Sequence, residues 1–327
     1  MTIQAERQDA LHPDPEPPAT ERHRERAKSK SSTNGLARSQ NRWGWIFAAP
    51  AIIGFFLFVA GPMVASFIIG LTNWQIGLPP AFVGFDNYVH LVQDPSFWDA
   101  LKATAYYVIV AVPGGVLVAF LAALLLNRVR RGRGLFRVVF YLPVLVPPVA
   151  SAVIWLWIFA PDAGLANSFL KMLGLPPLQW IYDEATAVPS VALVTIWAFG
   201  NMALIFLAAL QGVPRELLEA AEMDGAGPFR RMLNVTIPQV SPIILFNVIT
   251  GTIAALQAFD SAYVMTQGGP NNATLFYVYY IYQTAFGAGN LGYASALAWV
   301  LFIIVLIVTV VVFRTARHWV FYEGEVK

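Results

Sequence analysis

The chain has 327 residues, of which 57% are hydrophobic and only 12% carry a charge. A soluble globular protein has about 25% charged residues, so this composition excludes an ordinary soluble domain and indicates an integral membrane protein. The sequence contains no cysteine, which excludes disulfide bonds and thiol chemistry.

The first 42 residues form a polar segment that is rich in proline and in charged residues. Such a composition cannot bury a core and predicts a disordered, basic cytoplasmic tail over 1–42. Its basic part, Arg22 to Lys30, is suited to contact anionic membrane lipid. Basic residues beside a membrane span are ordinary topology signals, so no nucleic-acid partner is expected.

Long stretches without any charged residue predict six transmembrane helices, because a helix needs about 20 apolar residues to cross a bilayer. The predicted spans lie near 45–70, 103–126, 138–160, 188–210, 239–262 and 293–313. The segment Thr274–Phe286 is too short to cross, and its tyrosines favour an interfacial or re-entrant helix. Three prolines in the third span, Pro143, Pro147 and Pro148, predict a kink. The expected fold is an all-α, polytopic membrane domain over 43–321, with a short cytoplasmic tail at 322–327.

The distribution of lysine and arginine predicts the orientation of the spans. All but two of the 21 Lys and Arg residues fall on one side of the predicted membrane; the exceptions are Lys102 and Lys171. The positive-inside rule therefore places both termini and the loop 211–238 in the cytoplasm.

The sequence lacks the residue patterns of an enzyme or of a nucleotide-binding protein. Its four histidines are scattered without metal-ligand spacing, and no Gly-Lys pair of a phosphate-binding loop occurs. We therefore expect no catalytic residue, no metal site and no cofactor bound by this chain.

The loop between the fourth and fifth spans is unusually polar for this chain. Its sequence predicts a helix from Pro214 to about Met223, a turn at Asp224-Gly225, and a second helix from Pro228 that Pro238 ends. The small residues on the first helix would let another surface approach closely. The alternative is a solvated connector, but connections of this length are uncommon unless they are functional.

The same loop resembles the cytoplasmic "EAA" loop of binding-protein-dependent ABC importer permeases. Glu219-Ala220-Ala221 is followed after three residues by Gly225, and after nine more by Val235-x-Ile237-Pro238. The outer segment "FVGFDNYVHLVQDPSFWDAL" and the stretch "FDSAYVMTQGGPNNATLFYVYYIYQTAF" resemble those of carbohydrate-importer permeases of the maltose and glycerol-phosphate type.

The resemblance implies an ABC importer permease-like helical bundle in the bacterial cytoplasmic membrane. This chain would form half of a translocation pathway with a second homologous permease, and an extracytoplasmic solute-binding protein would deliver a sugar. Two ATP-binding subunits would use ATP and Mg²⁺ beneath the pair. The residues implied in docking them are Glu219, Ala220, Ala221, Asp224, Gly225 and Ala226. The sequence does not name the sugar, and a polyol phosphate stays open.

Polar and aromatic residues near the fourth and fifth spans are candidates for the substrate pathway: Trp197, Asn201, Asn247, Gln257 and Asp260. Their alternative role is interhelical hydrogen bonding. Two other functions compete with the permease. A secondary, ion-coupled transporter of small solutes would need carboxylates inside its spans. A structural or assembly membrane protein would not explain kinked spans with polar residues.

Overall fold

The computed structural model describes residues 43–129 and 131–321. The predicted tails at 1–42 and 322–327 therefore lie outside the described residues. The described chain is built from helices, and its only β-type pairs are two isolated bridges. The twelve helices used below are α1 Trp43–Gly70, α2 Asp86–Gln93, α3 Pro95–Arg128, α4 Arg133–Leu145, α5 Pro148–Ile158, α6 Leu165–Met172, α7 Glu184–Trp197, α8 Gly200–Gly212, α9 Arg215–Met223, α10 Pro228–Leu256, α11 Tyr277–Tyr282 and α12 Leu291–Ala316.

Four of these helices, α1, α3, α10 and α12, are each long and apolar enough to cross a membrane. Two bent pairs complete the set: α4 with α5, at 98°, and α7 with α8, at 52°. Counting each pair as one span gives the six predicted spans. The described chain divides into two units, residues 43–65 and residues from 66 onward, and the boundary falls within α1.

The helix α3 is longer than predicted, with 34 residues against a prediction of 103–126. Its extension begins at a proper N-terminal cap, because the Asp94 side chain accepts a hydrogen bond of 2.9 Å from the Ser96 backbone N–H. Pro95 occupies the first helical position, where a missing N–H costs nothing. Polar capping thus starts the helix before its apolar stretch begins.

The predicted kink in the third span is confirmed. The α4 helix ends at Leu145, Pro147 is extended with φ −55° and ψ 142°, and Pro148 opens α5. The break between α7 and α8 was not predicted, since no proline marks it. Its neighbourhood is crowded: a Cβ on Gly200 would lie 2.3 Å from the carbonyl oxygen of Phe140 in α4. Only glycine permits this close approach.

The core of the second unit is arranged around α3, which packs against α7, α8, α10 and α11. The Thr104 hydroxyl in α3 accepts a hydrogen bond of 2.8 Å from the Tyr277 backbone N–H. Phe276 and Tyr277 are fully buried. The segment predicted as an interfacial or re-entrant helix is therefore short, as expected, but its first turn packs on protein.

Candidate functional site: a helix–turn–helix loop and a cavity

The polar loop contains the predicted helix α9, and the predicted turn follows it. Gly225 has φ +79°, its N–H donates to the carbonyl of Glu222 at 3.0 Å, and the Ala226 N–H donates to the carbonyl of Ala221 at 2.9 Å. These two bonds form the Schellman arrangement that ends helices at a left-handed residue. The predicted turn at Asp224-Gly225 is confirmed.

The side of the loop that carries the EAA residues is accessible. Glu219, Ala220, Asp224 and Gly225 are exposed, and Ala221 and Ala226 are half-buried. Three alanines thus stand beside two carboxylates and a sharp turn, and no part of the described chain covers them fully. This surface can accept a partner at close range.

An ion pair that the sequence analysis missed closes the loop. The Arg231 guanidinium lies 2.6 Å from the Glu222 carboxylate, and Arg231 is the less exposed of the two side chains. The pair joins the last turn of α9 to the first turn of α10. A separation of nine residues across a turn is not a helical spacing, so no simple pattern indicates it.

The prediction that Pro238 ends the second helix is wrong. The helix that begins at Pro228 runs through a π-helical turn, Met232–Thr236, into the segment Ile237–Leu256. The widened π-helical turn before Pro238 relieves the contact of the proline ring with the preceding carbonyls, so the helix continues although proline has no N–H to donate. The polar loop is consequently continuous with a spanning helix.

A cavity of about 410 Å³ lies where the two bent pairs meet α3 and the end of α10. Its walls include both helix breaks, through Val146 and Pro148 in one and Ala198 and Phe199 in the other. The polar side chains on its walls are Tyr107, Ser151, Thr195, Asp260 and Ser261. The Tyr107 and Thr195 hydroxyls lie 2.6 Å apart and link α3 to α7.

Of the five residues predicted for the pathway, only Asp260 lines this cavity. Asn247 is 1% exposed, and its amide nitrogen has no hydrogen-bond partner among the described residues. Trp197 packs edge-on against Trp155 with ring centroids 5.8 Å apart. Asn201 and Gln257 are exposed and lie off the cavity walls.

The hydroxyl residues of the cavity were not predicted, because the search of the sequence concentrated on amides in the fourth and fifth spans. Tyr107 and Ser151 belong to α3 and α5, and Thr195 stands immediately before the break after α7. The position of that break decides which side chains face inward. Among the described residues, no three His, Asp or Glu side chains come together as a metal site would require.

Asp94 forms a second polar cluster at the start of α3. Its carboxylate accepts hydrogen bonds from the hydroxyls of Tyr280 and Tyr293, the latter at 2.7 Å, and from the Ser96 N–H. Burial opposes the ionisation of Asp94, but these three hydrogen bonds together hold its pKa below the ordinary value. The cluster ties α3 to α11 and α12.

The arrangement of spans has a close counterpart among solved structures. A bacterial alginate ABC transporter, crystallised in complex with an alginate pentasaccharide-bound periplasmic protein, contains a chain that superposes with a TM-score of 0.75. The match covers 86% of this chain and 97% of that chain at 23% sequence identity. The fold is that of the membrane subunit of an ABC importer.

Comparison at the level of sequence names the family. A family model described as "binding-protein-dependent transport system inner membrane component" matches residues 115–319. The chain is 38% identical to the probable ABC transporter permease protein YesP of Bacillus subtilis, over 88% of this chain and 94% of the relative. It is 35% identical to the lactose transport system permease protein LacF of Rhizobium radiobacter, over 88% and 98% of the two chains. The chain belongs to the binding-protein-dependent permease family: it is a multi-pass membrane subunit of an ATP-driven importer, and such subunits do not themselves catalyse a reaction.

Proposed function

We propose that this permease forms one half of a sugar-translocation pathway and that the loop 211–238 couples the pathway to a separate ATPase subunit. The observation that carries the proposal is the continuity of α10. This helix begins at the loop and ends at Leu256, and Ala254 and Ala255 in its last turn line the cavity. A displacement of the loop is therefore transmitted to a wall of the cavity through one helix.

We assign docking of the ATP-binding subunit to the exposed side of the loop: Glu219, Ala220, Ala221, Asp224, Gly225 and Ala226. Glu219 would accept a charge-assisted hydrogen bond from a basic partner residue. The alanines permit close approach, and Gly225 fixes the angle between α9 and α10. ATP and Mg²⁺ would be used by two such subunits, on the cytoplasmic side that the positive-inside rule assigns to this loop and to both termini.

The second half of the pathway would come from a homologous permease. Asn201 and Gln257 support this, because exposed amides near the spans need polar partners when lipid surrounds the protein. A facing permease or a pathway between the two chains would supply those partners. Asn247 and Trp197 are packed within the described chain, and we assign them to helix packing.

The substrate class follows from the relatives and from the chemistry of the cavity. LacF is named for lactose transport, and the alginate transporter was crystallised with a saccharide-bound periplasmic protein. Hydroxyl groups, one carboxylate and the ring of Phe259 on the cavity walls match a polyhydroxylated ligand with an apolar ring face. An extracytoplasmic binding protein would deliver this sugar.

The test is uptake of radiolabelled neutral disaccharides by the host, before and after deletion of this gene, with complementation by variants. We expect deletion to abolish uptake of one of them, Glu219→Lys to fail to restore it, and the permease to reach normal membrane levels. Asp162→Lys is the matched control, since it makes the same change of charge at an exposed carboxylate outside the loop. Normal uptake with Glu219→Lys would remove the docking assignment, and unchanged uptake of all tested sugars after deletion would remove the carbohydrate assignment.

A further inference from the structure

The charged side chains on the cavity walls are of one sign only. Asp260 is on the cavity wall, and none of the lining residues in the described chain is a lysine, arginine or histidine. A carboxylate accepts hydrogen bonds and donates none when it is ionised. A ligand in this cavity therefore meets a negative charge without a neighbouring cation.

Four hydroxyl groups share the cavity walls with Asp260: those of Tyr107, Ser151, Thr195 and Ser261. A hydroxyl both donates and accepts hydrogen bonds, so these groups suit the hydroxyls of a sugar. Hydroxyl groups carry no charge, and they do not balance the Asp260 carboxylate.

We propose that Asp260 determines substrate charge: the cavity admits uncharged sugars or amino sugars and disfavours sugar acids, sulfonates and phosphates. The inference rests on the proposed function of the cavity as part of the pathway. Sugar hydroxyls and ammonium groups donate to hydroxyl and carboxylate oxygens. An anionic substituent brings only acceptors and would have to lose water beside Asp260 without an ion-pair partner.

The absence of cysteine allows a direct measurement in the full-length chain, in membranes of cells that carry the complete transport system. Ser261→Cys and Ser151→Cys would place single thiols on two different walls of the cavity. For each, the rates of modification by a cationic and by an anionic methanethiosulfonate reagent are measured at low ionic strength. Their ratio cancels any change in the reactivity of the thiol itself.

We expect the cationic reagent to react faster at both positions. Asp260→Asn should lower the ratio of the two rates several-fold, because one carboxylate attracts the cationic reagent and repels the anionic one. Asp162→Asn removes an exposed carboxylate that does not line the cavity and should leave the ratio unchanged. Asp260→Glu keeps the charge and should keep the ratio.

A ratio near one, or a ratio that Asp260→Asn does not change, overturns the proposal. An equal fall in Asp260→Glu also overturns it, because shape rather than charge would then control access. These results do not depend on the identity of the sugar. They are distinct from a failure of the proposed function, which appears as unchanged sugar uptake after deletion of the gene.

Discussion

The turn at Gly225 offers a sharp test of coupling, because a nearby glycine provides a matched control. Gly225 has φ +79°, whereas Gly227 has φ −66° and ψ 168°, and a Cβ added at either position would meet no atom within 4 Å. Substitutions at the two sites therefore differ in backbone strain and not in packing. A left-handed conformation costs an L-residue roughly 1–2 kcal/mol, and a β-branched residue resists it most.

This strain is small against the total stability of a folded domain, so Gly225→Val is expected to insert at normal levels. A cost of 1–2 kcal/mol shifts an equilibrium by roughly 5- to 30-fold. If the Schellman turn is the docking-competent form, Gly225→Ala should lower sugar uptake per permease by about fivefold, and Gly225→Val by up to about 30-fold. Gly227→Val places its residue in the extended region that precedes a proline and should stay within about twofold of the parent.

The assay measures initial uptake rate and permease abundance in the same membranes, and ATPase activity in parallel. ATP hydrolysis that no longer drives uptake would locate the defect in coupling. Normal uptake with Gly225→Val, or an equal loss with Gly227→Val, would refute the reasoning from backbone conformation.

Three further predictions concern the orientation of the spans, the Asp94 cluster and the ion pair of the loop. A reporter fused after Lys327 should behave as cytoplasmic and one inserted near Asn271 as external; the reverse pattern would reject the orientation. Asp94→Asn should lower the free energy of unfolding by about 1–3 kcal/mol through weakened charge-assisted hydrogen bonds. The pKa of Asp94 is lower in the folded than in the unfolded state, so its contribution to stability is present above the unfolded pKa and is lost as the pH falls through the folded pKa. The unfolding temperature of the parent should therefore approach that of Asp94→Asn in acid. A difference in unfolding temperature that does not change with pH would contradict this. Glu222→Arg and Arg231→Glu should each impair uptake, and the double exchange should restore part of it. The coupling energy between the two changes should stay below about 1 kcal/mol, because the pair is exposed. Independent effects of the two changes would contradict a role for the ion pair.

The polar loop shows what short-range sequence signals predict well. The start of α9, the turn at Gly225 and the start of α10 at Pro228 follow from local preferences of proline and glycine. Pro238 misled the prediction, because a π-helical turn lets the helix continue into the fifth span. Long apolar stretches likewise predicted where the six spans fall, since length and composition are properties of the sequence itself.

The cavity shows what the sequence did not predict. Which side chains face inward depends on how each helix is rotated, and the break after Trp197 changes that rotation without any proline to mark it. Asp260 was predicted for the pathway and lines the cavity, whereas Tyr107 and Thr195, which meet across 88 residues of sequence, were not predicted. Buried Asn247 carries the same kind of amide as exposed Asn201, so composition cannot separate packing from access.

The uninterrupted helix from the loop to the cavity also sets the scale of the motion that transport requires. A helix of 29 residues is about 44 Å long at 1.5 Å per residue, so a tilt of about 5° at the loop end moves the far end by about 4 Å. The cavity would be roughly 9 Å across if it were spherical. A rod of this length therefore works as a lever, in which a small rotation imposed at one membrane surface changes the width of the opening by nearly half.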